Sequence, residues 1–172
     1  MRRLPRQLTL DQLCELFESD NPLTRALADL EDPLGQASTV AQSLTSDEKL
    51  EALNAHPAIG QRAGLSARSA AEQGSDADPE VLEELDRLNV EYEARHGFRF
   101  VVFVNRRPKA EILEVLRSRI DNPTDEELDT AMSELVAIAE DRWRRETESE
   151  PDPRGAGSAV NRTPGSGTDA AL

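Results

Sequence analysis

The stretch ELDTAMSELVAIAEDR, residues 127–142, has the spacing of a helix with one buried face. Its apolar residues recur in steps of four, three and four at Leu128, Met132, Leu135 and Ala139. Positions spaced in this way lie on one side of an α-helix, because the helix has about 3.6 residues per turn. The stretch therefore predicts a long amphipathic helix that packs against the rest of the protein. The next position on its apolar face is Arg142.

Signals earlier in the chain predict further helices around this one. The predicted helix starts are the T-x-x-E capping boxes Thr45–Glu48 and Thr124–Glu127, the Asp78–Pro79 pair, and Pro108. Gly97 predicts a helix end, since glycine readily adopts the left-handed conformation that stops many helices. Near the amino terminus, LDQLCELF (10–17) places Leu10 and Cys14 on its apolar side. We interpret Cys14 as an inert thiol of the core.

The segment FRFVVFV (98–104) departs from the helical spacing, because it is short, apolar throughout and bounded by Gly97 and Asn105. It predicts either a buried extended segment or the start of a helix, since one candidate strand cannot form a sheet. The predicted fold is therefore all-α, a single compact helical bundle over residues 8–145 with a short buried extended segment. Residues 146–172 are rich in Pro, Gly, Ser and Asp, and they predict a disordered C-terminal tail.

The charge of the chain bears on its partners. It has 20 Lys and Arg against 34 Asp and Glu, a formal net charge of −14. Nucleic acid and anionic membranes are therefore poor partners. No apolar run has the length of a membrane span, and no apolar stretch follows the basic amino terminus, so we expect a cytoplasmic protein. With one cysteine and two histidines, the sequence predicts neither a disulfide framework nor a metal site, and no cofactor motif is present.

Arg142 is the first candidate for chemistry, because a guanidinium on an apolar helix face needs a partner. One interpretation is that its side chain reaches solvent at the helix end, where cations also suit the helix dipole. The other interpretation is that Arg142 faces a cleft and holds an anion, since its planar fork fits a carboxylate. The sequence leaves both open.

The second candidate is His56, which ends a predicted helix ahead of the irregular link HPAIGQRAG (56–64). A short predicted helix follows, on which Ser69, Glu72 and Gln73 share a face. A carboxylate brought beside His56 would raise the pKa of its imidazole toward the working pH, as general acid–base chemistry favours. His96 lies beside Gly97, and we expect it to be solvated at a helix end.

Five blocks of the sequence carry a resemblance to a known family. They are HPAIG (56–60), SAAEQ (69–73), HGFRFVVFV (96–104), KAEILEVLRSR (109–119) and ELVAIAEDR (134–142). In this order and spacing they resemble the 2-oxo-4-hydroxy-4-carboxy-5-ureidoimidazoline (OHCU) decarboxylase family, over roughly residues 10–143. The resemblance implies an all-helical, cofactor-independent carboxy-lyase, usually a homodimer. Its reaction converts OHCU to (S)-allantoin and CO₂ in urate degradation.

The resemblance also implies roles for individual residues. His56 and Glu72 would be catalytic. The implied substrate-binding residues are Pro57, Ser69, Gln73, Gly97, Phe98, Arg99, Phe100, Val101 and Arg142, with residues 97–101 acting through their main chain. No residue is expected to bind a metal.

The chain departs from the family pattern at two positions. Leu23 stands where many members have an aromatic residue, and His96 stands where phenylalanine is common. Either change can reshape a pocket wall. The alternatives are therefore a non-catalytic helical interaction module, or a related enzyme that acts on another ureido or imidazole acid.

Overall fold

The computed structural model describes residues 7–56 and 78–149, and these residues form seven helices without a strand. The helices are α1 (Leu10–Phe17), α2 (Pro22–Leu27), α3 (Pro33–Ser43), α4 (Ser46–Asn54), α5 (Pro79–His96), α6 (Lys109–Arg119) and α7 (Thr124–Ser149). The all-α prediction is confirmed. Over these two ranges, no helix combines the length and the hydropathy needed to cross a bilayer.

Helix α7 is the centre of the bundle and packs against α1, α3, α4 and α5. Its predicted apolar face, from Leu128 to Ala139, is buried as expected. Ala131, Val136 and Ile138 are buried as well, which widens the stripe so that helices pack on more than one side of α7. The same packing buries Arg142, because that residue continues the stripe.

Several predicted helix ends are confirmed. Thr45 and Glu48 form the capping box of α4, with the Thr45 hydroxyl accepting from the Glu48 N–H. Asp78 caps α5 ahead of Pro79, and its carboxylate accepts from the Glu80 N–H. Gly97 ends α5 in the left-handed conformation, with φ +80°, which glycine adopts without steric cost.

The sequence analysis did not predict α2 and α3, although both carry a recognisable signal. Asn21 caps α2 ahead of Pro22, and Asp32 caps α3 ahead of Pro33. A short polar side chain followed by proline is a good helix start, because proline supplies a helical φ at a position whose N–H has no helical partner. The same pattern correctly predicted the start of α5 at Asp78 and Pro79.

Three predictions about individual residues on these helices are wrong. Thr124 and Glu127 form no capping box, since α7 already begins at Thr124 and the Glu127 side chain is fully buried among other partners. Leu10, in the first turn of α1, is exposed. Cys14 is only partly buried.

The segment 98–104 links α5 to α6 and is not the start of a helix. Phe98, Phe100 and Val101 are buried within it, as the prediction of a buried non-helical segment requires. At the other end of the domain, α7 continues to Ser149, past the predicted boundary at Arg145. Residues 150–172 of the predicted tail lie outside the described residues.

Candidate functional site

His56 lies just after α4 and is buried, with 6% of its surface exposed. Its main-chain N–H donates to the Leu53 carbonyl at 3.1 Å, which holds the residue against the end of the helix. The buried ring atom Nδ1 makes no hydrogen bond in the described part of the chain. A buried polar atom without a protein partner carries a desolvation cost, so it is a candidate for contact with a ligand.

The surroundings of His56 favour its neutral form. The pKa of His56 is lowered from 6.5 to about 4, mainly by burial and to a smaller extent by the positive charge of Arg142. Glu18 raises this pKa and Arg99 lowers it, both by smaller amounts. Desolvation outweighs the Glu18 carboxylate, so the net effect of these groups is to lower the pKa of His56. The expected carboxylate, Glu72, lies outside the described residues.

Arg142 is also buried, with 3% of its surface exposed. Its Nη1 donates to the Leu16 carbonyl of α1 at 2.7 Å, and its Nη2 lies 3.8 Å from Oε2 of Glu18. The interpretation in which Arg142 reaches solvent at the helix end is therefore wrong, since α7 continues to Ser149 and Arg142 is buried. Arg142 instead lies near enough to His56 to affect the pKa of the imidazole.

Glu18 is a residue of this site that the sequence analysis missed. It ends α1 in the left-handed conformation, with φ 60° and ψ 15°, and its side chain is 8% exposed. A residue other than glycine in this conformation costs about 1 kcal/mol or more, so surrounding contacts must hold it there. Its charge also lies close enough to affect His56. No pattern marked it, because a glutamate at a helix end usually indicates a solvated position.

Arg99 ties the 98–104 segment to His56. Its main-chain N–H donates to Oδ1 of Asn54 at 3.1 Å, and its Nη1 donates to the His56 carbonyl at 2.9 Å. The predicted site residue Arg99 therefore acts here through its side chain as well as its main chain. Through it, the predicted substrate-binding segment meets the end of α4.

The fold thus brings together three of the predicted site residues, His56, Arg99 and Arg142, and adds Glu18. Of the remaining main-chain candidates, Phe98, Phe100 and Val101 lie on the segment that Arg99 anchors, and Gly97 precedes it at the end of α5. The predicted site residues outside the described residues are Pro57, Ser69, Glu72 and Gln73. A buried neutral imidazole beside two guanidinium groups can accept or deliver a proton next to a bound anion.

His96 does not belong to this group, and the expectation that it is solvated is wrong. It is buried, with Nε2 3.0 Å from the Ile120 carbonyl and Nδ1 2.9 Å from the Thr124 hydroxyl. Because a carbonyl only accepts, Nε2 carries a proton, and in the neutral ring Nδ1 accepts from Thr124. His96 therefore links the end of α5 to the start of α7. Among the described residues, no three His, Cys, Asp or Glu side chains are placed to hold a metal ion.

The family model described as OHCU decarboxylase matches residues 2–144. A protein of Halalkalicoccus jeotgali named 2-oxo-4-hydroxy-4-carboxy-5-ureidoimidazoline decarboxylase is 32% identical over 113 residues, and one of the same name from Haloferax volcanii is 33% identical over 114. Both matches cover 63% of this chain, and they cover 64% and 67% of the two relatives. The match therefore spans about two thirds of the length of these relatives.

A solved structure supports the same fold. The crystal structure of OHCU decarboxylase in the presence of (S)-allantoin is similar with a TM-score of 0.68. The match covers 81% of this chain and 99% of that one, at 23% sequence identity. At this identity the similarity concerns the fold alone.

Proposed function

Because this chain belongs to the OHCU decarboxylase family, we propose that it converts 2-oxo-4-hydroxy-4-carboxy-5-ureidoimidazoline to (S)-allantoin and CO₂ in urate degradation. The observation that carries the proposal is that His56 and Arg142 lie near each other in the core. Both side chains are buried, the ring Nδ1 of His56 has no hydrogen bond to a described residue, and the Arg142 charge affects the imidazole. A substrate that is both an anion and a proton donor or acceptor fits such a pair.

The proposed reaction needs an orienting charge and a group that handles protons. The bond between the carboxylate and the ring carbon that bears the hydroxyl breaks, and its electron pair enters the conjugated ring as an enolate-type anion. A ring nitrogen takes up one proton and the ring carbon that bears the ureido group takes up a second, while the hydroxyl loses its proton and becomes a carbonyl. In total, the substrate anion takes up one proton and releases one CO₂. The ring itself accepts the electron pair, which is why the proposal includes no cofactor.

Each part of this reaction has a proposed residue. Arg142 binds the carboxylate, because its fork matches the two oxygens. His56, with Glu72, accepts the hydroxyl proton or delivers one to the ring. The ureido and ring polar groups are bound by Gln73, Ser69 and the main chain of residues 97–101, with Pro57 shaping the pocket beside His56. Preorganised groups of this kind are typically worth about 10²–10³-fold each in rate.

Substrate binding would change the state of His56. The Arg142 charge is one cause of the low pKa of His56, and a bound carboxylate would offset that charge. The pKa of His56 would then be higher in the complex than the value of about 4 in the free protein, while burial, its larger cause, would still lower it. The imidazole would therefore accept a proton more readily in the complex than in the free protein.

A kinetic experiment tests the proposal. OHCU is generated fresh with hydroxyisourate hydrolase, and the loss of its optical signal is followed with and without the protein. We expect faster loss than in the spontaneous reaction, release of CO₂, and allantoin of the S configuration. His56→Ala should lower kcat by about 10²–10⁴-fold, the usual contribution of a general acid–base group.

The control variant is Val90→Ala, which changes an exposed side chain on α5 and should leave the rate unchanged. If the wild-type protein leaves the spontaneous rate unaltered, the proposed function is wrong. If His56→Ala keeps the wild-type rate while folded, only the role of His56 is wrong. CO₂ measurement separates decarboxylation from hydrolysis or isomerisation of a related ureido acid.

We also propose that the protein is a homodimer and works in the cytoplasm. The homodimer is supported by the family resemblance, and the cytoplasmic location by the sequence analysis above. Sedimentation velocity at micromolar concentration tests the dimer, and cell fractionation tests the location.

A further inference from the structure

A buried ion pair lies next to the segment 98–104, on the side of the core where α5, α6 and the start of α7 meet. Arg119 of α6 donates to Glu127 of α7 from Nε, at 3.0 and 3.2 Å to the two carboxylate oxygens, and from Nη2 at 2.8 Å. The Glu127 side chain has no exposed surface, and that of Arg119 is 8% exposed. Burying two charges costs several kcal/mol per ion unless geometry and further hydrogen bonds compensate, so the pair needs an explanation.

Further hydrogen bonds complete the pair. The hydroxyl of Tyr92 donates to Oε2 of Glu127 at 2.6 Å, and the amide of Asn122 donates to Oε1 at 2.9 Å. The Tyr92 ring also packs edge-on against the rings of Phe98 and Phe100. Glu127 is thus held from three directions, and this fixes the position of Arg119.

Arg119 in turn holds the main chain of the neighbouring segment. Its Nη1 donates to the Val101 carbonyl at 2.9 Å, and its guanidinium carbon lies 4.7 Å from the centre of the Phe100 ring. At the other end of the same short stretch, the Arg99 N–H donates to Asn54. The main chain of residues 99–101 is therefore fixed at both ends by side chains from outside the segment.

Two peptide groups lie between these fixed points, one joining Arg99 to Phe100 and one joining Phe100 to Val101. Within the described ranges, no protein group hydrogen-bonds to either of them. Buried main-chain polar groups are nearly always paired in native proteins, so these atoms are suited to a bound ligand. The hydrogen bonds of the Arg99 N–H and the Val101 carbonyl also determine which way these atoms point.

We propose that Arg119, held by Glu127, is a positioning residue that aims the main chain of residues 99–101 at the substrate, an inference that rests on the proposed function. Arg119 has no contact with the substrate in this scheme. The rigid fork of a guanidinium suits the task, because it binds the Glu127 carboxylate and the Val101 carbonyl simultaneously. The buried charges are kept because they fix a main chain whose own polar groups are left for the ligand.

Kinetics of Arg119→Lys with fresh OHCU test the inference. An ammonium can pair with Glu127, but it cannot also reach the Val101 carbonyl with the same geometry. We expect KM to rise about 10- to 100-fold with a smaller change in kcat, since a displacement of about 1 Å in positioned groups costs up to about 100-fold. Hydrogen–deuterium exchange should become faster in peptides that cover 98–104.

The matched control is Arg117→Lys, on the same helix. Arg117 is exposed and pairs with Glu84 and Glu114 at the surface, so this variant should keep the wild-type KM, kcat and exchange. If Arg119→Lys does not fold, Glu127→Gln takes its place, because the amide keeps an oxygen for Arg119 while losing the charge. We expect the same rise in KM for it.

A folded Arg119→Lys or Glu127→Gln protein with KM and exchange like those of Arg117→Lys would overturn the inference. That result is distinct from failure of the proposed function, which wild-type turnover and His56→Ala test on their own. If the wild-type protein does not act on OHCU, faster exchange at 98–104 in Arg119→Lys still supports the main-chain role of Arg119, and unchanged exchange overturns it.

Discussion

Replacing His56 by asparagine should remove a large part of the acid sensitivity of the folded protein. His56 is buried and its pKa in the folded protein is lowered from 6.5 to about 4. At about 1.36 kcal/mol per pKa unit, this difference corresponds to about 3 kcal/mol. Asparagine is polar and does not titrate, so the variant lacks this contribution.

The sign follows from where the proton binds. Between pH 6.5 and about 4, the imidazole is protonated in the unfolded chain and neutral in the folded protein. The unfolded state therefore binds more protons, and the free energy of unfolding falls as the pH falls through this window. Above pH 6.5 both states are neutral, and His56 contributes no pH dependence. The full decrease in the free energy of unfolding is reached only below the pKa that His56 has in the folded protein.

Urea unfolding at pH 7.5, 6.0, 5.0 and 4.5 measures this effect. We expect the wild-type protein to lose about 2–3 kcal/mol more than His56→Asn between the first and last pH, by the linkage of proton binding to folding. Carboxylate titrations are common to both proteins and cancel in the difference. Equal losses in the two proteins would refute the description of His56 as a buried neutral group.

Three further predictions concern other residues. Arg142→Lys should raise KM about tenfold with less effect on kcat, because the ammonium loses bidentate contact with the substrate carboxylate. Arg144→Lys changes an exposed residue on the same helix and is the control. Equal KM values for the two variants would contradict the proposed role of Arg142 in binding the carboxylate. Tyr92→Phe should lower the free energy of unfolding by about 1.5–3 kcal/mol, since it removes a buried hydrogen bond to a charged group. His96→Phe should cost about 1–3 kcal/mol in the same urea assay, because the Ile120 carbonyl loses its donor. If Tyr92→Phe or His96→Phe unfolds with the wild-type free energy, the hydrogen bond which that variant removes contributes little to stability.

The helices were largely predictable because their signals are local. The spacing of Leu128, Met132 and Leu135 makes one face of α7 apolar whatever surrounds it, and a buried apolar face is the main source of helix stability. The caps at Thr45 and Asp78 and the stop at Gly97 are also determined within a few residues. The starts of α2 and α3 were predictable from the same kind of signal, although the sequence analysis did not use it.

Glu127 shows where local reasoning fails. T-x-x-E is a capping box when its glutamate has no stronger partner, as at Thr45. At Thr124 the fold brings Arg119 and Tyr92 to the carboxylate, and a charged hydrogen-bond network in the core outweighs a cap worth about 1 kcal/mol. The expectation for His96 fails in the same way, because Ile120 and Thr124 reach it from the end of α6 and the start of α7.

The sequence by itself determined most of the helices and the buried face of α7, and its five short blocks indicated the family. Only the tertiary structure decided that Arg142 is covered, that Glu18 lies beside it, and that the imidazole of His56 is neutral. The physical reason is the distance along the chain over which each interaction acts. Helix periodicity and capping act over a few neighbouring residues, whereas desolvation and Coulomb interaction depend on which distant segments the fold brings within a few ångströms.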